Sequence, residues 1–341
     1  MRTEEFNFYL PKNLISQKLI KPRDRCRLLV LERKTKKIFH TKFYKIDEFL
    51  KKGDVLVFND TKVIPAKLSG KKETGGKTEI LLLNKKSKFW EVLAKNIKKN
   101  YLGKKVFFKK NLSAKFKKFL GGGKWEVEFN FKGKNFFEIL KKVGETPVPP
   151  YIKEKTKLFN YQTIYAKKEG SVAAPTAGLH FTFRLLKKLK KKGIDFKFIT
   201  LYINLATFAP IKTEKIEEHQ MFKEKIEIKK ETADFLNRAR KNSRRIIAVG
   251  TTVARTLESF AYQNKKGWRL KSGKKETQLF IYPGYKFKFV DALITNFHLP
   301  KSTLLLLVSA FASKNLIFKS YQEAIKRKYK FFSFGDAMFI I

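Results

Sequence analysis

Short apolar runs separated by polar turns open the chain, and they predict a β-hairpin followed by a buried strand. Residues 27–31 are apolar, residues 34–37 are polar, and residues 38–44 form a second strand-like run. A short helix is expected over residues 47–52, which precede a glycine. Residues 54–58 are almost continuously apolar, which is typical of a strand buried on both faces of a sheet.

The pattern changes between about residues 63 and 150, where short alternating runs recur between glycine-rich turns. The clearest alternation places Trp125, Val127, Phe129 and Phe131 on one face of a strand. Three further strand-like runs cover residues 79–83, 89–94 and 106–108. Such runs, punctuated by paired or tripled glycines, indicate a small β-barrel or sandwich.

Beyond Pro150, strand-like and helix-like segments alternate. Helices are predicted over residues 183–192, 232–240 and 253–261 and from near Ser302 and Tyr321, and strands over residues 196–203, 245–249 and 290–295. This alternation favours an α/β domain. The predicted fold is therefore an α/β domain (residues 1–62 and 151–341) interrupted by an inserted small all-β, barrel-like domain (residues 63–150).

Charge and cysteine content narrow the range of functions. The formal net charge of +47 favours a polyanionic partner such as nucleic acid, although lysine runs throughout the chain fit a compositional habit equally well. Cys26 is the single cysteine, so no intrachain disulfide or thiolate metal site is expected. The longest apolar run is far shorter than the ~20 residues of a membrane span, and the first residues do not resemble a signal peptide. These observations predict a cytoplasmic protein that does not bind a membrane.

A first candidate site is the small-residue segment 171–181, which precedes a predicted helix. Gly178 permits close backbone approach to a ligand, His180 offers a titratable ring, and Phe181 offers a stacking face. Open α/β sheets place their ligands where strands end and helices begin. By itself such a loop has little specificity.

A second candidate is the strand-turn-helix segment 246–252, which ends in Gly250, Thr251 and Thr252. Free N–H groups at a helix start accept a carboxylate or a phosphate, and Arg255 lies one turn further as a possible bidentate clamp. The simpler interpretation is that Thr251 or Thr252 only caps the helix.

The third candidate follows a predicted strand and contains Asn296 and His298, with Ser302 or Thr303 capping the next helix. A histidine in a loop beside an amide is as compatible with catalysis as with a structural role. The histidines are too scattered along the chain to predict a metal centre.

Together, these segments resemble one family over nearly the whole chain, the S-adenosylmethionine:tRNA ribosyltransferase-isomerases. The matching stretches are Val57-Phe-Asn-Asp-Thr-Lys-Val-Ile-Pro-Ala66, Ala173-Ala-Pro-Thr-Ala-Gly-Leu-His-Phe181, Ala248-Val-Gly-Thr-Thr252, Phe280-Ile-Tyr-Pro-Gly284, Val290-Asp-Ala-Leu-Ile-Thr-Asn-Phe-His-Leu-Pro300 and Phe331-Phe-Ser-Phe-Gly-Asp-Ala-Met338. The resemblance implies an α/β domain interrupted by a β-barrel. It also implies transfer and isomerisation of the ribosyl group of S-adenosylmethionine onto an aminomethyl-deazaguanine base of tRNA. Epoxyqueuosine forms, and adenine and methionine are released.

The implied reaction suggests roles for these residues. A sulfonium acidifies the neighbouring C–H, so a general base is required, for which His180 and His298 are candidates. A carboxylate would hold the aminomethyl cation or serve as an alternative base. The carboxylate candidates are Asp60, Glu258 and Asp336, and the expected substrate contacts are Thr176, Gly178, Leu179, Phe181, Gly250, Thr251, Thr252, Arg255, Asn296 and Phe297.

Partners and cofactors follow from the same resemblance. S-adenosylmethionine is a consumed substrate, no metal or redox cofactor is implied, and a monomer is expected. The lysine-rich barrel predicts contact with tRNA phosphates through Lys98, Lys99, Lys104 and Lys105.

The chain also departs from the family pattern. Histidines are usual where Tyr202 and Phe222 stand, and glycines where Asn204 and Ala206 stand. Two alternatives therefore remain. One is another S-adenosylmethionine-dependent tRNA-modifying enzyme, such as a methyltransferase, and the other is a tRNA-binding protein with altered catalysis.

Overall fold

A computed structural model describes residues 1–204, 210–265 and 267–341, and a nine-stranded sheet and a closed six-stranded barrel dominate it. In chain order, the strands are β1 (Arg27–Leu31), β2 (Ile38–Lys42), β3 (Val55–Asn59), β4 (Thr61–Val63), β5 (Lys67–Lys72), β6 (Lys77–Lys86), β7 (Phe89–Lys95), β8 (Lys105–Phe107), β9 (Ser113–Gly121), β10 (Lys124–Phe129), β11 (Lys168–Ser171), β12 (Asp195–Leu201), β13 (Glu224–Ile228), β14 (Ile246–Val249), β15 (Ala261–Asn264), β16 (Gly267–Leu270), β17 (Gly273–Thr277), β18 (Ala292–Asn296) and β19 (Ala337–Ile340). The α-helices are α1 (Gly133–Val143), α2 (Phe183–Lys191), α3 (Lys230–Lys241), α4 (Thr251–Phe260), α5 (Thr303–Ala312) and α6 (Lys314–Lys326).

The large sheet has the order β17-β13-β12-β3-β14-β18-β19-β1-β2. Its centre consists of four mutually parallel strands, β12, β3, β14 and β18. Parallel neighbours end at the same edge of a sheet, so the segments that follow these strands lie together there.

The central strands are apolar because both of their faces are covered. Val55 and Val57 pack in one apolar cluster with Leu236 of α3 and Leu257 of α4. Phe58 points to the opposite face and belongs to a second cluster, which includes residues of α2. Burial on both faces explains why β3 does not alternate in polarity.

The barrel contains β5 to β10 in the order β10-β7-β6-β5-β8-β9, with every pairing antiparallel. Residues Gly121 to Gly123 all have positive φ and form the β9–β10 turn, a conformation that favours glycine. Helix α1 adds Phe136 and Leu140 to the barrel core, where Phe136 packs against Trp90 and Phe129.

The predicted fold class is confirmed, because an α/β sheet and a barrel are both present and the barrel strands fall between strands of the sheet. The domain limits at 62/63 and 150/151 stay predictions. Two helix predictions were wrong in position. The turn near residue 47 is a 3-10 helix over Phe43–Phe49, and α6 begins at Lys314 rather than near Tyr321. The side chain of Ser313 caps α6 there.

Among the described helices, none is alone long and apolar enough to cross a membrane. The consecutive helices α5 and α6 pass that test only as a pair, and they are bent by 113° at their junction.

Candidate functional site

A cleft of about 630 Å³, which includes its open mouth, lies at the carboxyl edge of the central parallel strands. The described residues that line this cleft are Tyr151, Ala174, Pro175, Thr176, Ala177, Ile203, Gly250, Thr251, Thr252, Thr295, Asn296, Phe297, His298, Leu299, Ser302, Leu304, Phe332 and Ser333. None of these residues is Lys, Arg, Asp or Glu, although the chain carries a net charge of +47.

The start of α4 forms one wall of the cleft. Gly250 precedes the helix with φ of 100°, a value that L side chains rarely adopt. No side chain caps this helix, so the interpretation of Thr251 or Thr252 as the cap was wrong. The backbone N–H groups of Thr251 and Thr252 belong to the first turn and have no partner within the helix. The wall therefore offers unpaired donors and the positive end of a helix dipole.

Asn296, the last residue of β18, is held in place by three side-chain contacts. Its Oδ1 accepts a hydrogen bond from Thr176 Oγ1 at 3.2 Å, and its Nδ2 donates to the carbonyl of Phe332 at 3.0 Å. The same Nδ2 lies 3.1 Å from His180 Nε2. Because Nδ2 faces a carbonyl oxygen, the orientation of this amide is fixed by its partners.

His180 lies behind the cleft wall and not in the cleft, with only 1% of its surface exposed. Since Asn296 donates to Nε2, the proton of the neutral ring is on Nδ1, which lies 3.1 Å from Cys26 Sγ. Burial is the main cause that lowers the pKa of His180 to about 3, with a smaller contribution from the charge of Arg23. A neutral ring with both nitrogens engaged orients Asn296, and its geometry opposes the predicted role as a base.

His298 lines the cleft itself. Its Nε2 lies 2.9 Å from Thr295 Oγ1, and its backbone N–H donates to Tyr321 Oη at 3.0 Å. Its Nδ1 makes no hydrogen bond within the described residues. Burial lowers the pKa of His298 to about 3, so the ring is neutral throughout the physiological range.

The opposite wall contains residues that the sequence analysis missed. Tyr151 Oη and Ser333 Oγ are 2.6 Å apart, and the Tyr151 ring packs against Phe332 with centroids 4.4 Å apart. Burial raises the pKa of Tyr151, so its hydroxyl stays protonated. Two sequence signals were available. Tyr151 directly follows the stiff Pro149-Pro150 pair, and Phe332 and Ser333 lie within a motif from which Asp336 was selected instead.

Four charged residues expected at the site, Arg255, Glu258, Asp336 and Asp60, do not line the cleft. Arg255 pairs with Glu224 and donates to the carbonyl of Leu279 in the interior. Glu258 accepts hydrogen bonds from the Tyr285 hydroxyl and from the backbone N–H groups of residues 288–290. Both side chains are buried with partners of their own, outside the cleft, and their contact with substrate stays a prediction.

Asp336 was the third. It accepts hydrogen bonds from the backbone N–H groups of Arg27 and Lys330, each at 2.7 Å, and pairs with the Arg27 guanidinium. The carboxylate therefore joins β1 to the segment before β19 and does not line the cleft. Asp60 does not line the cleft either. It accepts a hydrogen bond from Thr200 Oγ1 at 2.6 Å, and burial raises its pKa.

The segment 176–181 is divided between the cleft and the core. Thr176 lines the cleft, whereas Leu179 and Phe181 are fully buried in apolar clusters. Gly178 is needed for packing, because a Cβ there would lie 1.9 Å from Tyr165 Oη. Gly178, Leu179 and Phe181 do not line the cleft, and their contact with a ligand stays a prediction. Phe297 lines the cleft and also packs against Phe331.

The four barrel lysines, Lys98, Lys99, Lys104 and Lys105, are exposed and lie around Tyr101. The Tyr101 hydroxyl donates to the Lys105 carbonyl, and the Lys104 N–H donates to the Tyr101 carbonyl. The four lysines are therefore close together and exposed to solvent. Their contact with tRNA stays a prediction.

The positions that depart from the family pattern lie near the site or beside the barrel. Tyr202 is half-buried against Gly170, and Asn204 is buried. Phe222 is partly exposed, with Lys124 Nζ 4.6 Å from its ring centroid. Ala206 lies outside the described residues. Within the described part of the chain, no three His, Cys, Asp or Glu residues are grouped as metal ligands would be.

Comparison with known proteins relates this chain to one family. Residues 3–340 match the family described as queuosine biosynthesis protein. Proteins named S-adenosylmethionine:tRNA ribosyltransferase-isomerase from Thermosipho melanesiensis and Caldanaerobacter subterraneus subsp. tengcongensis are 50% and 51% identical to this chain, and all of each chain is covered. A crystal structure of S-adenosylmethionine tRNA ribosyltransferase from Thermotoga maritima is 37% identical, with a TM-score of 0.56 over 99% of this chain and 100% of that chain. By similarity over its whole length, the chain belongs to the queuosine biosynthesis protein family.

Proposed function

We propose that this protein transfers the ribosyl group of S-adenosylmethionine to an aminomethyl-deazaguanine base of tRNA and isomerises it, releasing adenine and methionine. The full-length relatives carry the name of this reaction. The observation that carries the proposal at the site is the uncharged cleft, with an open helix start on one wall and a neutral histidine on another.

S-adenosylmethionine carries a sulfonium, an ammonium and a carboxylate. We place the carboxylate at the start of α4, where the N–H groups of Thr251 and Thr252 are available as donors. A cationic side chain in the cleft would repel the sulfonium, and the described lining contains no Lys or Arg. Aromatic rings attract such a cation, and the cleft presents Tyr151, Phe297 and Phe332.

The base in this proposal is His298. The sulfonium makes the adjacent C–H acidic, and a neutral imidazole takes up the proton that leaves it. Thr295 Oγ1, 2.9 Å from Nε2, fixes the orientation of the ring. Asn296 and Thr176 offer a polar edge for the ribose hydroxyls, and His180 holds Asn296 in position.

The test is one incubation of the protein with S-adenosylmethionine and tRNA that carries the deazaguanine precursor. Nucleoside mass spectrometry is expected to show epoxyqueuosine, with equimolar adenine and methionine in the small-molecule fraction. Activity should persist in EDTA when the tRNA is folded beforehand. Release of S-adenosylhomocysteine would instead indicate a methyltransferase, and tight tRNA binding without any product would indicate altered catalysis. Cytoplasmic location and a monomeric state stay predictions.

A further inference from the structure

A second pocket lies between the turn before β1 and the first two turns of α2, and it is cationic where the cleft is neutral. We call it the arginine pocket. Its lining residues are Asp24, Arg25, Lys42, Tyr44, Arg184, Leu185 and Lys188. Four of the seven carry positive charge.

The arginines distinguish this pocket from the general lysine background. Lysine supplies most of the 77 basic residues, and the sequence has no arginine between Arg33 and Arg184. Most arginines of the chain bind carboxylates or carbonyls of the protein, as Arg245 does with Asp54. Arg25 is exposed and makes no such contact within the described residues. A planar guanidinium kept free in a lysine-rich chain suits bidentate recognition of phosphate.

The carboxylates near the pocket do not cancel this charge. Asp24 is buried, and its Oδ2 accepts hydrogen bonds from Thr182 Oγ1 at 2.7 Å and from Arg184 Nη2 at 3.4 Å. Lys188 pairs with Asp47 at 2.7 Å. Arg25 and Lys42 therefore remain as charges without an acidic partner among the described residues.

Two exposed aromatic residues belong to segments that adjoin the arginine pocket. Phe183, the first residue of α2, is 73% exposed, and Phe159 is 64% exposed. Arg23, two residues before Arg25, donates to the carbonyls of Phe159 and Gln162 and thereby fixes the Phe159 turn. Phosphate-binding cations beside exposed rings are the combination that binds single-stranded nucleic acid through its backbone and by base stacking.

The arginine pocket is also linked to the cleft through the backbone. Thr176 lines the cleft and Arg184 lines the pocket, and eight residues span at most about 29 Å. His180, between them, contacts Asn296 on the cleft side and Cys26, beside Arg25, on the other. One RNA loop is long enough to reach both places.

We propose that the arginine pocket binds a backbone phosphate of the tRNA substrate, and that Phe183 stacks on a base next to the nucleotide in the cleft. The proposal rests on the proposed function for the identity of the RNA. It differs from a contact through the barrel lysines, which are on another part of the chain.

The test compares Arg25→Gln/Lys42→Gln and Phe183→Ala with a control, Lys34→Gln/Lys37→Gln. The control removes two exposed charges at the other end of the same hairpin, where the described structure records no ion pair for either lysine. Thermal melting followed by circular dichroism should be unchanged in all three variants.

Binding of a tRNA transcript is measured by fluorescence anisotropy at several salt concentrations. The pocket variant should lower the log–log salt slope by about 0.7–0.9 for each phosphate that it no longer neutralises. Phe183→Ala should weaken binding about 5- to 150-fold with the slope unchanged, because stacking is not ionic. The KM for tRNA should rise in parallel, with little change in turnover at saturating tRNA.

The proposal is overturned if the pocket variant matches the control in both affinity and slope. It is also overturned if inorganic phosphate binds to the wild type and not to the pocket variant while tRNA binds equally to both, since the pocket would then serve free phosphate. Anisotropy needs no turnover. A failure to release adenine would therefore count against the proposed function and leave the result on the pocket intact.

Discussion

Acidification from pH 8 to pH 5 should destabilise this protein through two histidines that the fold holds neutral. Burial lowers the pKa of His180 and of His298 to about 3, against about 6.5 for an unfolded chain. Between these values the unfolded state binds more protons than the folded state. The free energy of unfolding therefore rises with pH in this window and falls as the pH is lowered through 6.5.

The expected size follows from the width of that window. At pH 5 an unfolded histidine is about 1.5 units below its pKa, and each unit is worth about 1.4 kcal/mol, so each buried ring contributes a loss of about 2 kcal/mol. Two rings give about 4 kcal/mol, a large part of the 5–15 kcal/mol that stabilises a typical protein.

Other groups titrate nearby, so single variants isolate the effect. Burial also lowers the pKa of His40 and His219, which adds loss in the same direction. Burial raises the pKa of Asp60, and this group works in the opposite sense, because its folded form holds a proton more tightly. These terms cancel when wild type is compared with His180→Asn or His298→Gln at each pH.

The assay is urea unfolding followed by circular dichroism at half-unit steps between pH 8 and pH 5. Each variant should lose about 2 kcal/mol less than the wild type over this range, even where its stability at pH 8 is lower. His180→Asn removes the acceptor of Asn296 Nδ2, and an unmatched buried donor costs about 1–3 kcal/mol. A wild type whose stability changes with pH no more than that of the variants would show that the rings are hydrated and would refute the reasoning.

Three further predictions concern activity. His298→Gln should lower turnover by about 10²–10⁴-fold, the range expected when a general base is lost. The pH–rate profile of the wild type should show no titration of a histidine near pH 6.5, because the pKa of His298 is lowered. Near-normal turnover of the variant would exclude His298 as the base. Thr251→Pro removes one backbone N–H at the first position of α4, where proline fits a helix. The KM for S-adenosylmethionine should rise about tenfold in this variant and change little in Thr251→Ala, which keeps the N–H. Equal effects of the two substitutions would argue against a carboxylate at this helix start. Replacing Lys98, Lys99, Lys104 and Lys105 by Glu should reduce the salt slope of tRNA binding, and an unchanged slope would favour the compositional origin of the charge.

The sequence predicted the strands and helices whose buried residues form a regular apolar pattern. It missed elements that lack such a pattern. Strand β3 was found because it is covered on both faces. Strand β17 was missed because Gly273–Thr277 is polar and largely exposed, and pairing with β13 alone holds it in the sheet. Helix α1 did carry a signal in Phe136 and Leu140, four residues apart, but the surrounding β-like texture concealed it.

The structure brings the predicted site segments together at the cleft, but many of the predicted side chains do not line it. Every segment expected at the strand ends contributes to the cleft, because chain topology decides where strand ends meet. Glu258 was chosen from a predicted helix and Asp336 from a family motif, yet each carboxylate accepts hydrogen bonds from backbone N–H groups in the interior. A motif does not show which way a side chain points, and tertiary contacts decide that.

The lining of the cleft says more about the small substrate than the net charge of the protein does. A net charge of +47 spreads over the surface and attracts any polyanion, so it does not specify a reaction. The described residues that line the cleft include no Lys, Arg, Asp or Glu. The polar groups that they present to a ligand include helix N–H groups, an amide and a neutral imidazole. A cationic sulfonium would be repelled by lysines at contact distance, and the repulsion is stronger where water is excluded. An uncharged site in a strongly basic protein therefore fits S-adenosylmethionine as the small substrate, with the basic surface left to bind the RNA.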